Sequence, residues 1–204
     1  MSAIFPKSAD KVLRLAVAGM VVCAGLGAGL FAYFSHPKVT DTGYSPVQPV
    51  PYSHKLHAGN LGLDCRYCHF TVERSSYAAI PPTETCMNCH SRVKPQSPLP
   101  VKVRESYASG EPIPWVKVHK LPDYVYFNHR AHGAAGVSCF SCHGRADQML
   151  EVKQVEPLNM GWCLDCHRNP APNLRPVGDP AEMGREIVQA RHIAPPTNCS
   201  GCHR

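Results

Sequence analysis

The sequence predicts a chain of short helices and irregular segments, arranged as two like modules behind one N-terminal membrane-spanning helix. Three observations predict it. Leu15 to Phe34 run for twenty residues without a charge. The pattern C-x-x-C-H occurs five times and uses ten of the eleven cysteines. The phrase aromatic-x-His-x-x-His occurs twice, each time ahead of two or more of those motifs. The rest of the chain holds most of the 20 prolines and few long periodic segments, so few strands are expected. Such a polypeptide cannot bury an ordinary apolar core on its own.

The N-terminal segment, residues 1–14, sets Lys7, Lys11 and Arg14 against a single acid, Asp10. The apolar run that follows spans a hydrocarbon core of about 30 Å at about 1.5 Å per residue. Tyr33 and Phe34 close it at the aromatic-belt position, and the preceding basic residues predict a cytoplasmic N-terminus. The run exceeds the apolar region of a cleaved signal peptide, and SHPKVTDTG after it offers no small-x-small cleavage site. Val22 stands before Cys23, where a lipoprotein signal needs a small residue. A transmembrane helix over 15–35 is therefore expected, with the remaining chain outside the cytoplasm. Gly25 and Gly29 form G-x-x-x-G within it, a spacing that permits close helix packing.

The five motifs are Cys65-Arg-Tyr-Cys68-His69, Cys86-Met-Asn-Cys89-His90, Cys139-Phe-Ser-Cys142-His143, Cys163-Leu-Asp-Cys166-His167 and Cys199-Ser-Gly-Cys202-His203. C-x-x-C-H attaches c-type haem: the thiols add to the porphyrin vinyl groups, and the adjacent imidazole becomes an axial ligand. Structural zinc also uses C-x-x-C pairs, but it needs no histidine after each one, and five pairs do not divide into four-ligand sites. Disulfides within the motifs would close strained small loops and leave the histidines unexplained. Five covalent haems are the expected cofactors, with porphyrin faces supplying the missing core. Their roughly ten propionate charges offset the formal charge of +6, so no nucleic-acid partner is expected.

A proline-containing linker over 36–51, extended from Val39 onward, leads to Tyr52-Ser-His54-Lys-Leu-His57, eight residues before Cys65. The phrase returns as Phe127-Asn-His129-Arg-Ala-His132, seven residues before Cys139. This internal repeat defines a first module over 52–92 with two motifs and a second over 127–204 with three. The intervening residues 93–126, with six prolines, Trp115 and His119, read as a packed irregular connector. Short helices are expected after the motifs and around Asp179 to Ala190, where Pro180 would start the helix and Glu182, Arg185 and Glu186 follow.

Twelve histidines exceed ordinary usage, and five are spoken for as proximal ligands. Low-spin electron-transfer haems need a second axial ligand, and His54, His57, His129 and His132 are the candidates because they recur as i, i+3 pairs. Such a pair projects from one helical turn and can serve two adjacent haems. His36 reads as an interfacial residue at the membrane end.

This pattern resembles the class III multihaem cytochromes, in which the first histidine of a pair ligates the haem that follows and the second a neighbouring one. The resemblance implies His54 with His69, His57 with His90, His129 with His143 and His132 with His167. For the fifth haem, on His203, Met160 holds the position of the third distal ligand in small trihaem relatives, with His192 and His119 as alternatives. Methionine opposite histidine would raise the potential.

Two longer phrases, Pro114-Trp-Val-Lys-Val-His119-Lys-Leu-Pro-Asp-Tyr-Val-Tyr-Phe-Asn-His129 and Leu158-Asn-Met-Gly-Trp-Cys163-Leu-Asp-Cys166-His167-Arg, are similar to the pentahaem cytochrome c subunits of alternative complex III. That resemblance implies an electron-transfer subunit without a substrate of its own, in the bacterial inner membrane with its haem domain outside. Its implied partners are quinol-oxidising membrane subunits, a large iron–sulfur subunit, and a monohaem cytochrome c or terminal oxidase. Two other classes share the motifs. A quinol dehydrogenase feeding a periplasmic reductase would carry its own quinol pocket. A nitrite or hydroxylamine reductase would keep one open iron position, yet every motif here has its proximal histidine and distal candidates abound.

Overall fold

The structure, a computed structural model, describes residues 6, 8–174 and 181–203. It divides into two compact units, Met1–Asp41 and Thr42–Arg204.

In the first unit, helix α1 covers Ala9–Phe34, starting before the uncharged run and taking in Asp10, Lys11 and Arg14. Asp10 and Arg14, one turn apart, form an ion pair at 2.8 Å that places their charges together ahead of the apolar stretch. The helix is long and apolar enough to cross a membrane, and none of its described side chains is buried within the chain. Ser35 Oγ donates to Phe31 O at 2.6 Å and ends it. A one-turn helix α2, Pro37–Thr40, then takes up the start of the segment expected to be extended. Pro37 supplies a helical φ at the first position, and His36 Nδ1 accepts from Lys38 N at 3.2 Å.

The second unit holds both haem modules and the connector together. Its α-helices are α3 (Cys65–Cys68), α4 (Thr83–His90), α5 (Val101–Ser109), α6 (His129–Ala135), α7 (Phe140–His143), α8 (Met160–Arg168) and α9 (Ala181–Ala190). No strand occurs among the described residues; a single antiparallel bridge joins Val125 to His203. The helices lie on the motifs rather than after them, because cysteines at i and i+3 share a side of the chain when that turn is helical. The connector is less irregular than its prolines suggest: α5 forms within it, packs on α4, and stops at Gly110 in the left-handed conformation, φ 76°. Asp179 and Pro180 lie outside the described residues. The helix expected there runs from Ala181, and Gly184 is buried so closely on the Ala171 carbonyl that a side chain at that position would displace α9.

The two histidine phrases differ in one instructive way. The second is carried by α6, whereas the first runs into a π-type turn, Lys55–Asn60. A π turn holds one more residue than an α turn. That residue is the difference between the eight-residue and seven-residue spacings to the following cysteine.

The modules are cross-braced. Lys55 N donates to Met149 O at 2.9 Å, and Gly59 lies against the Asp147 carbonyl, so the first phrase rests on the loop after the third motif. Reciprocally, His129 N donates to Ser76 O at 3.1 Å and Arg130 N to Ser75 O at 3.2 Å, so the second phrase rests on the loop after the first motif. The linker joins this frame: Gln48 exchanges two amide hydrogen bonds with Val116, at 2.8 and 3.0 Å. The apolar core is correspondingly thin. Among the described residues only Val50, Val103 and Leu174 are buried hydrophobics.

Candidate haem-binding site

Three of the five motifs have identifiable supports of their own. Asp64 caps α3 by accepting from Arg66 N at 2.8 Å, and the Arg66 guanidinium grips the same carboxylate, holding it down to about 2. Asn159 caps α8 through Trp162 N at 2.8 Å. The fifth motif forms a 3-10 turn, Cys199–Gly201, pinned to the connector where Tyr126 N donates to Cys202 O at 2.9 Å.

The motifs also adjoin one another. Asn88 of the second donates to the Tyr67 hydroxyl of the first at 3.2 Å. The thiols of Cys65 and Cys139 lie close enough to share a proton, which pushes Cys65 up and pulls Cys139 down. The third and fourth motifs share a cavity of about 330 Å³ lined by His132, Cys142, Trp162, Cys163, Cys166 and His167. His167 Nδ1 bonds the carbonyl of Pro196, just ahead of the fifth motif, at 2.6 Å. The spatial order is thus second, first, third, fourth, fifth, with none isolated.

The distal candidates are set by the aromatic residue that opens each phrase. Tyr52 stacks on His57 with ring centroids 4.4 Å apart and meets His54 edge-on at 4.8 Å. Phe127 repeats the arrangement, stacked on His132 at 4.4 Å and edge-on to His129 at 4.7 Å. One ring therefore fixes two imidazoles in two orientations. The hydrogen bonds repeat as well: His57 Nδ1 bonds Ser53 O at 2.9 Å, and His132 Nδ1 bonds Asn128 O at 2.8 Å, each four residues back.

Nδ1 is engaged by a backbone carbonyl at five further histidines. These are His69 on Ala79 (2.9 Å), His90 on Val93 (3.1 Å), His129 on Ser76 (3.0 Å), His167 on Pro196 (2.6 Å) and His203 on Tyr124 (3.1 Å). A carbonyl on Nδ1 fixes the tautomer that leaves the Nε2 lone pair for a metal. Metal–imidazole bonds of about 2 Å on either side of one ion put the ring centroids roughly 6 Å apart. The centroids of His57 and His90 are 6.2 Å apart, those of His132 and His167 6.0 Å, and those of His129 and His143 6.5 Å with planes 9° from parallel. Burial, reinforced by neighbouring imidazoles, holds His54 down to about 4 and His143 to about 3, and lowers His132, so these rings are neutral and their lone pairs free at pH 7. The residues present fit c-type haem in donor type, tautomer and spacing.

The remaining candidates are placed differently. His54 has a buried Nδ1 with no partner. Met160, at the first position of α8, is 67% exposed. His192 is exposed just past α9 with φ 50°. No described hydrogen bond or ring contact joins Met160, His192 or His119 to His203. His119 instead meets His143, its Nε2 3.3 Å from Nδ1. The clamps on His129, His167 and His203 and this last contact come from residues distant in sequence and had no local signal. The aromatic ring's role did, since it recurs in both phrases.

The class these observations define is a multihaem cytochrome c. Residues 112–204 match the class III cytochrome C family, a stretch from within the connector through the second module. Over 122 residues the chain is 36% identical to the menaquinone reductase multiheme cytochrome c subunit of Nitratidesulfovibrio vulgaris, a match covering 59% of this chain and 56% of that protein. The chain therefore spans about half the length of the curated relative it matches.

Five covalent haems per chain are expected from the five intact motifs. Pyridine haemochrome and intact mass on one matured sample should agree on that number. Bound zinc in the mass, or two haems or fewer, would exclude it.

Proposed function

We propose that this chain is the haem-bearing relay of a quinol-oxidising membrane complex of the alternative complex III type. The unbroken adjacency of the five motifs carries the proposal: an electron entering at one end need never cross a long stretch of polypeptide. The haems supply one-electron couples when bound. The chain's residues do the rest. The cysteine pairs would fix each porphyrin edge, and the carbonyl clamps keep Nε2 aimed at seven of these histidines. Tyr52 and Phe127 hold each distal pair at set angles, and burial keeps His54, His132 and His143 neutral. In this reading α1 anchors the chain with its N-terminus in the cytoplasm and the second unit on the outer side. The electron source is a quinol-oxidising partner by way of an iron–sulfur subunit, and the acceptor is a monohaem cytochrome c or terminal oxidase.

A second reading rests on the relative named for menaquinone reduction. There the same relay would exchange electrons with the quinone pool in the opposite sense, or as a quinol dehydrogenase feeding a periplasmic reductase. The test uses the detergent-solubilised complex purified through a tag on this chain. Added quinol should reduce its c-type absorbance and then an added monohaem cytochrome c, while the chain separated from its partners should not respond to quinol. Quinol oxidation by the separated chain would favour the dehydrogenase. Quinone reduction by a low-potential donor, without the forward reaction, would favour the reductase.

Anchoring has its own check. The mature chain should retain Leu15 to Phe34 and require detergent for extraction. An N-terminus beginning after Phe34 in a detergent-free soluble protein would contradict it.

A further inference from the structure

His143 departs from the pattern of the other proximal histidines. Each of the other four turns Nδ1 to a backbone carbonyl, whereas His143 turns it to a side chain, the imidazole of His119 at 3.3 Å. The two rings stand edge to face, 83° apart, with centroids separated by 4.4 Å. His143 is meanwhile nearly parallel to His129, with the centroid spacing that a shared metal would require. His119 therefore bears on His143 through Nδ1, the nitrogen that axial ligation does not use.

We infer that His119 is the positioning residue for His143, accepting its Nδ1–H and setting the ligand strength of the third motif's histidine. The inference rests on haem attachment at Cys139 and Cys142. His119 is built to stay in place. Three residues before it, Val116 is locked by the two amide bonds from Gln48, and the ammonium of the next residue, Lys120, lies 5.8 Å from the Tyr44 ring centroid. Tyr44 is fixed in turn, since its carbonyl accepts from Gln154 N at 3.0 Å and Gln154 is buried. With its Nε2 3.3 Å from His143 Nδ1, His119 offers that nitrogen as an acceptor when its own proton sits on Nδ1. An acceptor on Nδ1–H makes the ligating imidazole a stronger donor and stabilises the oxidised metal. At the other motifs a fixed carbonyl provides that effect. At His143 a replaceable side chain does, which makes this the position where the sequence can tune one potential alone.

The test uses full-length protein in its membrane complex, as wild type, His119→Leu and His119→Gln, with haem content verified by pyridine haemochrome and mass. Potentiometric titration is followed by low-temperature electron paramagnetic resonance. The Leu variant should keep every haem low-spin, shift the g-values of one signal and raise one midpoint while the others stay put. The Gln variant, whose amide oxygen can accept, should return that couple towards wild type. High-spin signal or carbon monoxide binding in either variant would make His119 an axial ligand and overturn the inference. A matured Leu variant with no displaced couple would reduce His119 to packing, as would failure of both variants to mature. Where only the Gln variant matures, a wild-type couple supports the inference and a displaced one overturns it. A wild-type sample lacking haem at the third motif would instead refute the attachment reading beneath it.

Discussion

Replacing His132 with alanine should convert one low-spin haem to a five-coordinate, high-spin one. His132 faces His167 with ring centroids 6.0 Å apart, and both line the cavity that also holds Cys163 and Cys166. No other imidazole is in ring contact with His167 among the described residues, so nothing nearby would replace the lost ligand. His129 sits one turn away on α6 and is directed elsewhere, edge-on to Phe127 and parallel to His143. The third motif should therefore stay low-spin. With five haems, about one fifth of the total should become high-spin and bind carbon monoxide when reduced. Ligation couples to folding, so the yield of matured protein should also fall, and only fully loaded protein is informative. An unchanged spectrum with no carbon monoxide binding would make His132 a packed residue and remove the pairing with His167.

The sequence was most legible where covalent chemistry forces a spacing. C-x-x-C-H at five places named the candidate attachment points without any knowledge of the fold, and the uncharged run ends where α1 ends, at Phe34, although the helix starts earlier, at Ala9. The repeated phrase revealed the paired histidines. It also carried a detail that only backbone geometry explains, the extra residue between His57 and Cys65 taken up by the π turn. Non-local contacts were not legible. That the first phrase rests on the loop after the third motif, and the second on the loop after the first, follows from backbone hydrogen bonds available to any residue at Met149 or Ser76. The Nδ1 clamps share that character, since a carbonyl leaves no mark on residue type. The connector was misjudged because its prolines hide a helix: Pro98 and Pro100 precede α5 rather than interrupt it, and Gly110 ends it. His119 sat outside every motif, and its relation to His143 needed the fold.

Phe127→Ala should disturb two haems at once without freeing either iron. The Phe127 ring is stacked on His132 at 4.4 Å and edge-on to His129 at 4.7 Å, so it holds both imidazoles of the second module. Their Nδ1 bonds to Asn128 and Ser76 survive the substitution, so each ring keeps its tautomer and its position near the partner histidine. What is lost is the surface that fixes ring rotation. Two aromatic contacts contribute roughly 0.5–1.5 kcal/mol each beyond burial. Truncating a half-buried phenylalanine adds a cavity term, giving a total loss of about 2–4 kcal/mol. The low-spin signals of the haems on Cys139 and Cys142 and on Cys163 and Cys166 should both broaden or shift, because a low-spin signal depends on imidazole orientation. Those of the first module, braced by Tyr52, should not. Carbon monoxide should fail to bind, which separates this variant from His132→Ala. Phe127→Tyr should be close to silent in the same spectra, since Tyr52 makes both contacts in the first module with a tyrosine ring. Only one altered signal in the alanine variant would show that Phe127 orients a single histidine, and none would show that the backbone alone sets both.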